Sequence, residues 1–160
     1  APKEMNYVRE RTPHEPSLPE MTEKALQLLA KNKPGFFLMV EGGRIDHAAH
    51  GNKPEFTIYE TLEFDSAIGT VLNFIKKSAA PTVLIITSDH DTGGMQLTTG
   101  PDHGEMPTVN ELREFKNIAW VSNNHTASPI LLFGLGPGAE MLRGIHDNTD
   151  VAKIIRKVMQ

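Results

Sequence analysis

Three short apolar runs set the strongest limit on how this chain can fold. They cover residues 36–40, 82–87 and 130–133, and a glycine or proline stands directly before each one. Runs of this length are typical of strands that are buried on both faces of a sheet. Amphipathic helical patterns alternate with them, at residues 20–32, 54–78 and 148–159. The alternation predicts an α/β fold, a three-layer sandwich with a largely parallel central sheet.

Length and composition bound the class of protein. The chain has 160 residues, which is the size of one domain or of a piece of one. Its formal charge of -4 provides no basic surface, so we expect no nucleic-acid partner. No apolar run approaches the ~20 residues of a membrane-spanning helix, and the absence of cysteine excludes thiolate metal sites and disulfides. Residues 1–18 are mostly polar, and we expect them to be an extended lead-in cut from a longer chain.

Acidic and histidine residues follow the first two apolar runs. Glu41 comes directly after residues 36–40, and Asp89 and His90 come just after residues 82–87. Ligands of open α/β sheets gather beyond the carboxyl ends of the strands. These side chains are therefore candidates for a site at that edge of the sheet, where a hard carboxylate such as Glu41 suits Mg²⁺.

A second motif places Asp46 and His50 four positions apart, so that one helical turn brings both side chains to one side. A carboxylate oxygen and an imidazole nitrogen are both good zinc ligands. The same spacing also fits a solvated helix start that binds nothing. His125, just before the third apolar run, would add a third protein ligand and leave one position open, as catalytic zinc sites do.

The neighbours Asp89 and His90 leave two alternatives open. Adjacent strand residues point to opposite faces, so both can bind one metal ion only beyond the end of the strand. Asp91 could replace Asp89 as the ligand, although Asp89 lies nearer the strand. The segment could also be a turn that is stabilised by an aspartate side chain, with a surface histidine and no metal.

These segments together resemble the alkaline phosphatase family. EGGRIDHAAH (41–50), TSDHDTGG (87–94) and NHTA (124–127) stand in the order and spacing of that family. EPSLPEMT (15–22), LEFDSAIG (62–69) and the pair Asn148-Thr149 extend the likeness over nearly the whole chain. The resemblance implies an alkaline-phosphatase-like fold of which residues 1–160 are the C-terminal part, with a short crown-like excursion at 95–124.

The resemblance also implies a role for each candidate residue. It implies two Zn²⁺ and one Mg²⁺ as cofactors, with Asp46, His50 and His125 on the first zinc, Asp89 and His90 on the second zinc, and Glu41 on Mg²⁺. His47 stands where the family carries a lysine or histidine that reaches the bound phosphate or its water network. The implied substrate is a phosphate monoester.

The family transfers phosphate in line to a serine and then hydrolyses the phosphoserine. Its nucleophilic serine lies N-terminal to the region that this chain resembles, so no catalytic nucleophile is identified here. Asp65-Ser66-Ala67 repeats the spelling of the nucleophile segment but lies inside the helical pattern 54–78, where the family also has a helix. We therefore expect the parent protein to be an alkaline phosphatase and the isolated chain to be inactive.

Other functions fit the same residues. Phosphodiesterases, sulfatases and cofactor-independent phosphoglycerate mutases share the core of the superfamily, and the upstream nucleophile would tell them apart. The chain could also act alone as an inactive module that binds metal and phosphate. The resemblance implies a periplasmic or extracellular location and allows a homodimer.

Overall fold

The computed structural model describes residues 4–98 and 117–160. In these residues the α-helices are α1 (Leu18–Leu29), α2 (Arg44–His50), α3 (Pro54–Lys77) and α4 (Asn148–Val158). The strands are β1 (Leu84–Thr87), β2 (Asp91–Thr92), β3 (Gln96–Leu97), β4 (Ile118–Ala119), β5 (His125–Thr126) and β6 (Leu132–Leu135). Short 3-10 turns lie at Val8–Glu10 and Ala139–Leu142. The three helices that the apolar patterns predict are therefore present, with ends shifted by up to three residues.

Helix α1 starts at a capping box. The side chain of Ser17 accepts a hydrogen bond from the backbone N–H of Glu20, and the Glu20 carboxylate accepts one from the backbone N–H of Ser17. Pro19 fits the first turn, because an N–H at that point has no partner within the helix. The cap starts the helix two residues earlier than predicted, and Leu26 is buried where α1 packs on α3.

The lead-in before α1 is anchored on α3. The backbone N–H of Val8 donates to Glu60 Oε1 at 2.6 Å, and that of Leu18 donates to Glu63 Oε1 at 2.8 Å. Arg11 forms an ion pair with Glu63 at 2.5 Å. Burial raises the pKa of Glu60, and the hydrogen bond from Val8 offsets part of that effect. The lead-in is thus part of the packed structure, which its polar sequence did not predict.

The described strands pair in antiparallel two-stranded ladders. β1 pairs with β6, so that Leu84 lies opposite Leu135 and Thr87 lies opposite Leu132. β2 pairs with β5, and β3 pairs with β4. The predicted three-layer sandwich with a largely parallel sheet is not confirmed among these residues, because every pairing between them runs in opposite directions.

The strand predicted at residues 36–40 is not formed, so that prediction was wrong. The segment joins none of the ladders between the described residues. Phe37 and Met39 are 57% and 71% exposed, so the run is not buried on both faces either. Phe36 keeps an edge-to-face contact with Phe74 on α3. The physical reason is that a strand exists through hydrogen bonds to a neighbouring strand, and an apolar run alone supplies no neighbour.

The third apolar run forms β6, which begins two residues later than predicted. An added Cβ on Gly134 would collide with Leu142, so the 3-10 turn Ala139–Leu142 covers this face of the strand. Phe133 and Leu135, whose side chains alternate with Gly134 along the strand, are exposed. Leu142 therefore lies against one face of β6, and the other face is open.

The predicted excursion at 95–124 falls partly outside the described residues. β3 and β4 pair at its base, with Gln96 opposite Ala119, and residues 99–116 between them belong to the part that is not described. A crown in this region stays a prediction. Among the helices that the structure describes, none is both long and apolar enough for a membrane span.

Candidate metal centre

Helix α2 carries two of the candidate ligands on one turn. Residues 44–50 are helical, as the spacing of Asp46 and His50 predicts. Ala48 and Ala49 are buried in the same helix, which packs on α3. Because alanine side chains are small, α2 can lie close against its neighbours, and this packing fixes the places of Asp46 and His50.

Strand β5 brings His125 to the same place. Nε2 of His125 lies 3.1 Å from Nε2 of His50, and each of these atoms lies 3.4 Å from Oδ1 of Asp46. Ligand atoms at the corners of a tetrahedron around zinc, with bonds of about 2.0–2.1 Å, lie about 3.3 Å apart. The observed distances match that edge, so the donor set and its spacing fit a zinc ion with one corner left open.

The loop before β5 sets the orientation of His50. Nδ1 of His50 lies 2.5 Å from the backbone carbonyl oxygen of Asn123. Because a carbonyl oxygen only accepts, His50 carries a proton on Nδ1 and donates it there. The lone pair of the neutral ring is then on Nε2, which faces the cluster. Metal-binding histidines use this arrangement, in which the other ring N–H donates to an oxygen.

The neighbours of Asp46 keep its carboxylate ionised. Partial burial works to raise the pKa of Asp46, but a hydrogen bond from Thr92 and the nearby imidazoles of His50, His125 and His90 hold it below its ordinary value. The Thr92 hydroxyl donates to Oδ1 of Asp46 at 2.6 Å. The sequence alone does not single out Thr92, because a threonine in a turn segment carries no ligand signature.

The two residues predicted for the second zinc lie beside this cluster. The ring of His90 stacks on the ring of His125, with centroids 3.5 Å apart. Nε2 of His90 lies 3.2 Å from Oδ2 of Asp89, whose side chain is 84% exposed. In the part of the chain that the structure describes, no third histidine or acidic residue completes a group with this pair. The pair offers one nitrogen and one oxygen, which is half of a site.

Asp91 is engaged in structural hydrogen bonds. Its Oδ2 accepts from the backbone N–H of Gly94 at 2.9 Å and from the hydroxyl of Thr126 at 2.7 Å. Asp91 and Thr126 are also partners in the β2–β5 ladder, so these bonds hold β5 in place. Asp91 thus stabilises the turn with one carboxylate oxygen, and the choice of Asp89 over Asp91 as the ligand stays a prediction.

Glu41 and His47 lie outside the three-residue cluster. Glu41 is exposed, and its carboxylate lies next to Gly43. His47 is exposed on α2, and its Nδ1 lies 3.2 Å from the guanidinium of Arg44. Arg44 in turn lies over the ring of Tyr7, 3.9 Å from its centroid. The roles predicted for Glu41 toward Mg²⁺ and for His47 toward phosphate stay predictions.

Ser66 lies within α3, in agreement with the helical pattern of its segment. Its hydroxyl donates to the backbone carbonyl of Leu62 at 2.9 Å, one turn earlier in the same helix. A nucleophilic serine needs a base or a metal ion beside its oxygen, and this hydroxyl is instead bonded to its own helix. The segment that spells like the nucleophile is therefore an ordinary helical turn.

Comparison with known proteins decides the family. The family model described as alkaline phosphatase matches residues 1–114. This chain belongs to the alkaline phosphatase family. The alkaline phosphatase of Gadus morhua is 36% identical over 149 residues, which cover 92% of this chain and 29% of that protein. The alkaline phosphatase of Escherichia coli (strain K12) is 35% identical over 145 residues, which cover 85% of this chain and 30% of that protein.

Solved alkaline phosphatases share the fold. The cold-active enzyme of a psychrophilic Shewanella species superposes with a TM-score of 0.82 at 23% identity and covers 97% of this chain and 53% of its own. A mutant of the TAB5 alkaline phosphatase, with Mg bound in its M3 site, superposes with a TM-score of 0.73 at 36% identity. The match covers 89% of this chain and 41% of the TAB5 chain. The chain thus has an alkaline-phosphatase-like fold and spans 29% to 53% of the length of these relatives.

Proposed function

We propose that this chain supplies the metal-binding part of a zinc- and magnesium-dependent phosphomonoesterase, an alkaline phosphatase that works through a phosphoserine. The observation that carries the proposal is the spacing of Asp46, His50 and His125, whose ligand atoms form a triangle with sides of 3.1, 3.4 and 3.4 Å. One carboxylate and two imidazoles are a donor set that zinc takes in catalytic sites. The family to which the chain belongs supports a phosphate monoester as the substrate.

We assign the second zinc to Asp89 and His90, and Mg²⁺ to Glu41. The stacking of His90 on His125 supports the first assignment, because it places the residues of the two proposed zinc sites side by side. The Mg bound to the TAB5 mutant supports Mg²⁺ as a cofactor, and the exposed carboxylate of Glu41 offers the hard oxygen that Mg²⁺ prefers. Both sites need further ligands, which we place in the part of the alkaline phosphatase length that this chain does not span.

The residues of the chain have defined tasks in this proposal. Zinc, when bound, lowers the pKa of an attacking oxygen and stabilises the charge on the leaving oxygen. Asp46 supplies a negative charge, and His50 presents a neutral nitrogen that its bond to Asn123 has already oriented. Arg44 donates to Nδ1 of His47, so the proton of the neutral His47 ring is on Nε2, which can donate to a phosphate oxygen.

We place the nucleophilic serine outside this chain, together with the strands that would complete a largely parallel three-layer sandwich. This placement is supported by the length of the chain, which spans only 29% to 53% of the length of the relatives. The exposure of Phe37 and Met39 supports it as well, because neighbouring structure ordinarily covers large apolar side chains that lie close together. The periplasmic or extracellular location and the homodimer stay predictions from the resemblance.

The direct test measures hydrolysis of an aryl phosphate by the longer protein that contains this chain. We expect activity that a chelator abolishes and that Zn²⁺ with Mg²⁺ restores. His125→Ala should lower kcat/KM by more than about 100-fold, because losing a ligand costs more than losing a group that orients one. His146→Ala is the matched control, since His146 contacts the backbone carbonyl of Arg143 rather than the cluster. Activity that survives the chelator would contradict the proposal, and so would an equal loss of kcat/KM in His125→Ala and His146→Ala.

The chain alone separates this proposal from the second candidate, a module that binds metal and phosphate without belonging to an enzyme. We expect the 160-residue chain to bind zinc in a calorimetric titration and to show no turnover. Adding the complementary part of the protein should then restore hydrolysis if the chain is a portion of an enzyme. Turnover by the chain alone would contradict the placement of the nucleophile elsewhere.

A further inference from the structure

We infer that Thr92 is a positioning residue that links the two proposed zinc sites through its single hydroxyl group. This role rests on the proposed function, because it concerns the ligands of those sites. Thr92 lies on β2 and is nearly buried, at 9% exposure. Its Oγ1 lies 2.6 Å from Oδ1 of Asp46 and 3.3 Å from Nδ1 of His90. One hydroxyl therefore contacts a residue of each site.

The number of protons sets the direction of both hydrogen bonds. A threonine hydroxyl has one proton to donate and two lone pairs that can accept. An ionised carboxylate only accepts, so the shorter contact, to Asp46, takes the hydroxyl proton. In the contact with His90, Thr92 can then act only as the acceptor. Nδ1 of His90 must therefore carry a proton and donate it to Thr92.

This order selects the tautomer of His90. With its proton on Nδ1, neutral His90 has its lone pair on Nε2, the nitrogen that lies 3.2 Å from Oδ2 of Asp89. The other tautomer, with its proton on Nε2, would donate to Asp89. Its Nδ1 lone pair would then face a lone pair of the Thr92 hydroxyl, and the two would repel each other. Asp89 is exposed, so water can donate to its carboxylate when Nε2 of His90 carries no proton. Thr92 is nearly buried, so water cannot replace a lost hydrogen bond between Thr92 and His90. The tautomer with its proton on Nδ1 is therefore favoured. It leaves the lone pair of Nε2 free beside the Asp89 carboxylate, and these two groups together suit a cation.

Neighbouring contacts hold this arrangement in place. The ring of His90 stacks on His125, which limits its rotation. The backbone of Thr92 is the ladder partner of His125. Thr92 thus contacts Asp46 and His90 with its side chain and pairs with His125 through its backbone, so it fixes ligands of both proposed sites relative to each other.

Two substitutions separate the hydroxyl from the shape of the side chain. Thr92→Val removes the hydroxyl and keeps a similar volume, and Thr92→Ser keeps the hydroxyl. In a calorimetric zinc titration of the 160-residue chain, Thr92→Val should bind about 10–100-fold more weakly, the loss typical of groups that orient metal ligands. Thr92→Ser should bind nearly as well as the wild type. Equal binding by the wild type and Thr92→Val would overturn the inference.

A second measurement needs neither a variant nor zinc. Proton–nitrogen correlation spectra of the metal-free wild-type chain, recorded at mildly alkaline pH, report which nitrogen of His90 carries the proton. We expect Nδ1, and a proton on Nε2 would overturn the inference even if Thr92→Val fails to fold. If the chain binds no zinc while His90 carries its proton on Nδ1, the proposed function fails and the orienting effect of Thr92 stands.

Discussion

The Nε2 atoms of His50 and His125 lie 3.1 Å apart, although 75 positions separate the two residues in the sequence. His50 belongs to α2 and His125 to β5, so the contact exists only when the helix and the β2–β5 ladder are packed together. A cation held by both residues would therefore bind the folded arrangement in preference to the unfolded chain. Metal binding and folding of this region should be coupled.

We predict that zinc raises the melting temperature of the chain. A ligand that binds only the folded state adds about 2.7 kcal/mol when its concentration is about 100 times its Kd. Alanine at His50 or at His125 should remove most of this shift, because either change leaves two ligands of the cluster. Thermal unfolding followed by circular dichroism, with and without zinc, measures the effect. His146→Ala should keep the full shift, and a loss there would contradict a local site.

Gly93 is predicted to be essential for the placement of His125. Its φ is +79°, and a Cβ at this position would collide with the ring of Trp120. Its N–H donates to the carbonyl of Asn124 at 2.8 Å, which ties β2 to the loop before β5. Gly93→Ala should destabilise the chain by more than about 1 kcal/mol and weaken zinc binding. Urea unfolding and zinc titration measure the two effects.

Gly69 provides the matched control for Gly93. It lies inside α3, and nothing lies within 4 Å of a Cβ added there. Gly69→Ala should stabilise the chain by about 0.5–1 kcal/mol, because alanine loses less backbone entropy in a helix than glycine does. If both glycine variants shift stability in the same direction, crowding and positive φ are not what require glycine at Gly93.

Ser17 is predicted to contribute more to stability than an ordinary helical serine. Ser17→Ala removes the acceptor for the Glu20 N–H and should cost about 1 kcal/mol. Ser66→Ala, within α3, should be neutral or slightly stabilising, because alanine is the better helix former. Denaturant unfolding of both variants gives the comparison. If the longer protein has the proposed phosphatase activity, Ser66→Ala should leave hydrolysis unchanged, and a loss of activity there would mean that Ser66 is the nucleophile after all.

The lead-in segment should respond to acid. Hydrogen bonds from the backbone of Thr12, and from the side chain and backbone of Asn6, lower the pKa of Glu15 from its ordinary 4.5 to about 2. A lowered pKa in the folded state stabilises the fold above the ordinary value, and that contribution is lost as the pH falls toward about 2. Glu15→Gln should therefore be less stable than the wild type at pH 5 or so, with the difference shrinking in acid. A stability difference between Glu15→Gln and the wild type that grows as the pH falls would contradict a lowered pKa of Glu15 in the folded state.

Local spacing predicted the parts of the site that lie on one element. Asp46 and His50 needed only a helical turn, and α2 supplies it. The strand ends placed Asp89 and His90 correctly just beyond β1, because the apolar run and its stop are both local signals. His125 could be named from its residue type and position, but its approach to α2 depends on the β2–β5 ladder, which no local pattern encodes.

The parts that were missed depend on contacts between distant segments. Thr92 matters because Asp46 lies 2.6 Å away across 46 positions of sequence. The anchoring of the lead-in depends in the same way on Glu60, which lies 52 positions after Val8. The strand predicted at 36–40 failed for the converse reason: its composition suits a sheet interior, but the described residues offer it no partner strand.

The exposed apolar segment 36–40 also has a consequence for how the isolated chain behaves in solution. An apolar stretch that joins none of the described ladders leaves backbone groups that can pair with a strand of another molecule. Such a stretch promotes intermolecular β-pairing, and the exposed side chains of Phe37 and Met39 add a hydrophobic surface that two copies could share. The isolated chain should therefore self-associate at high concentration while it is still folded.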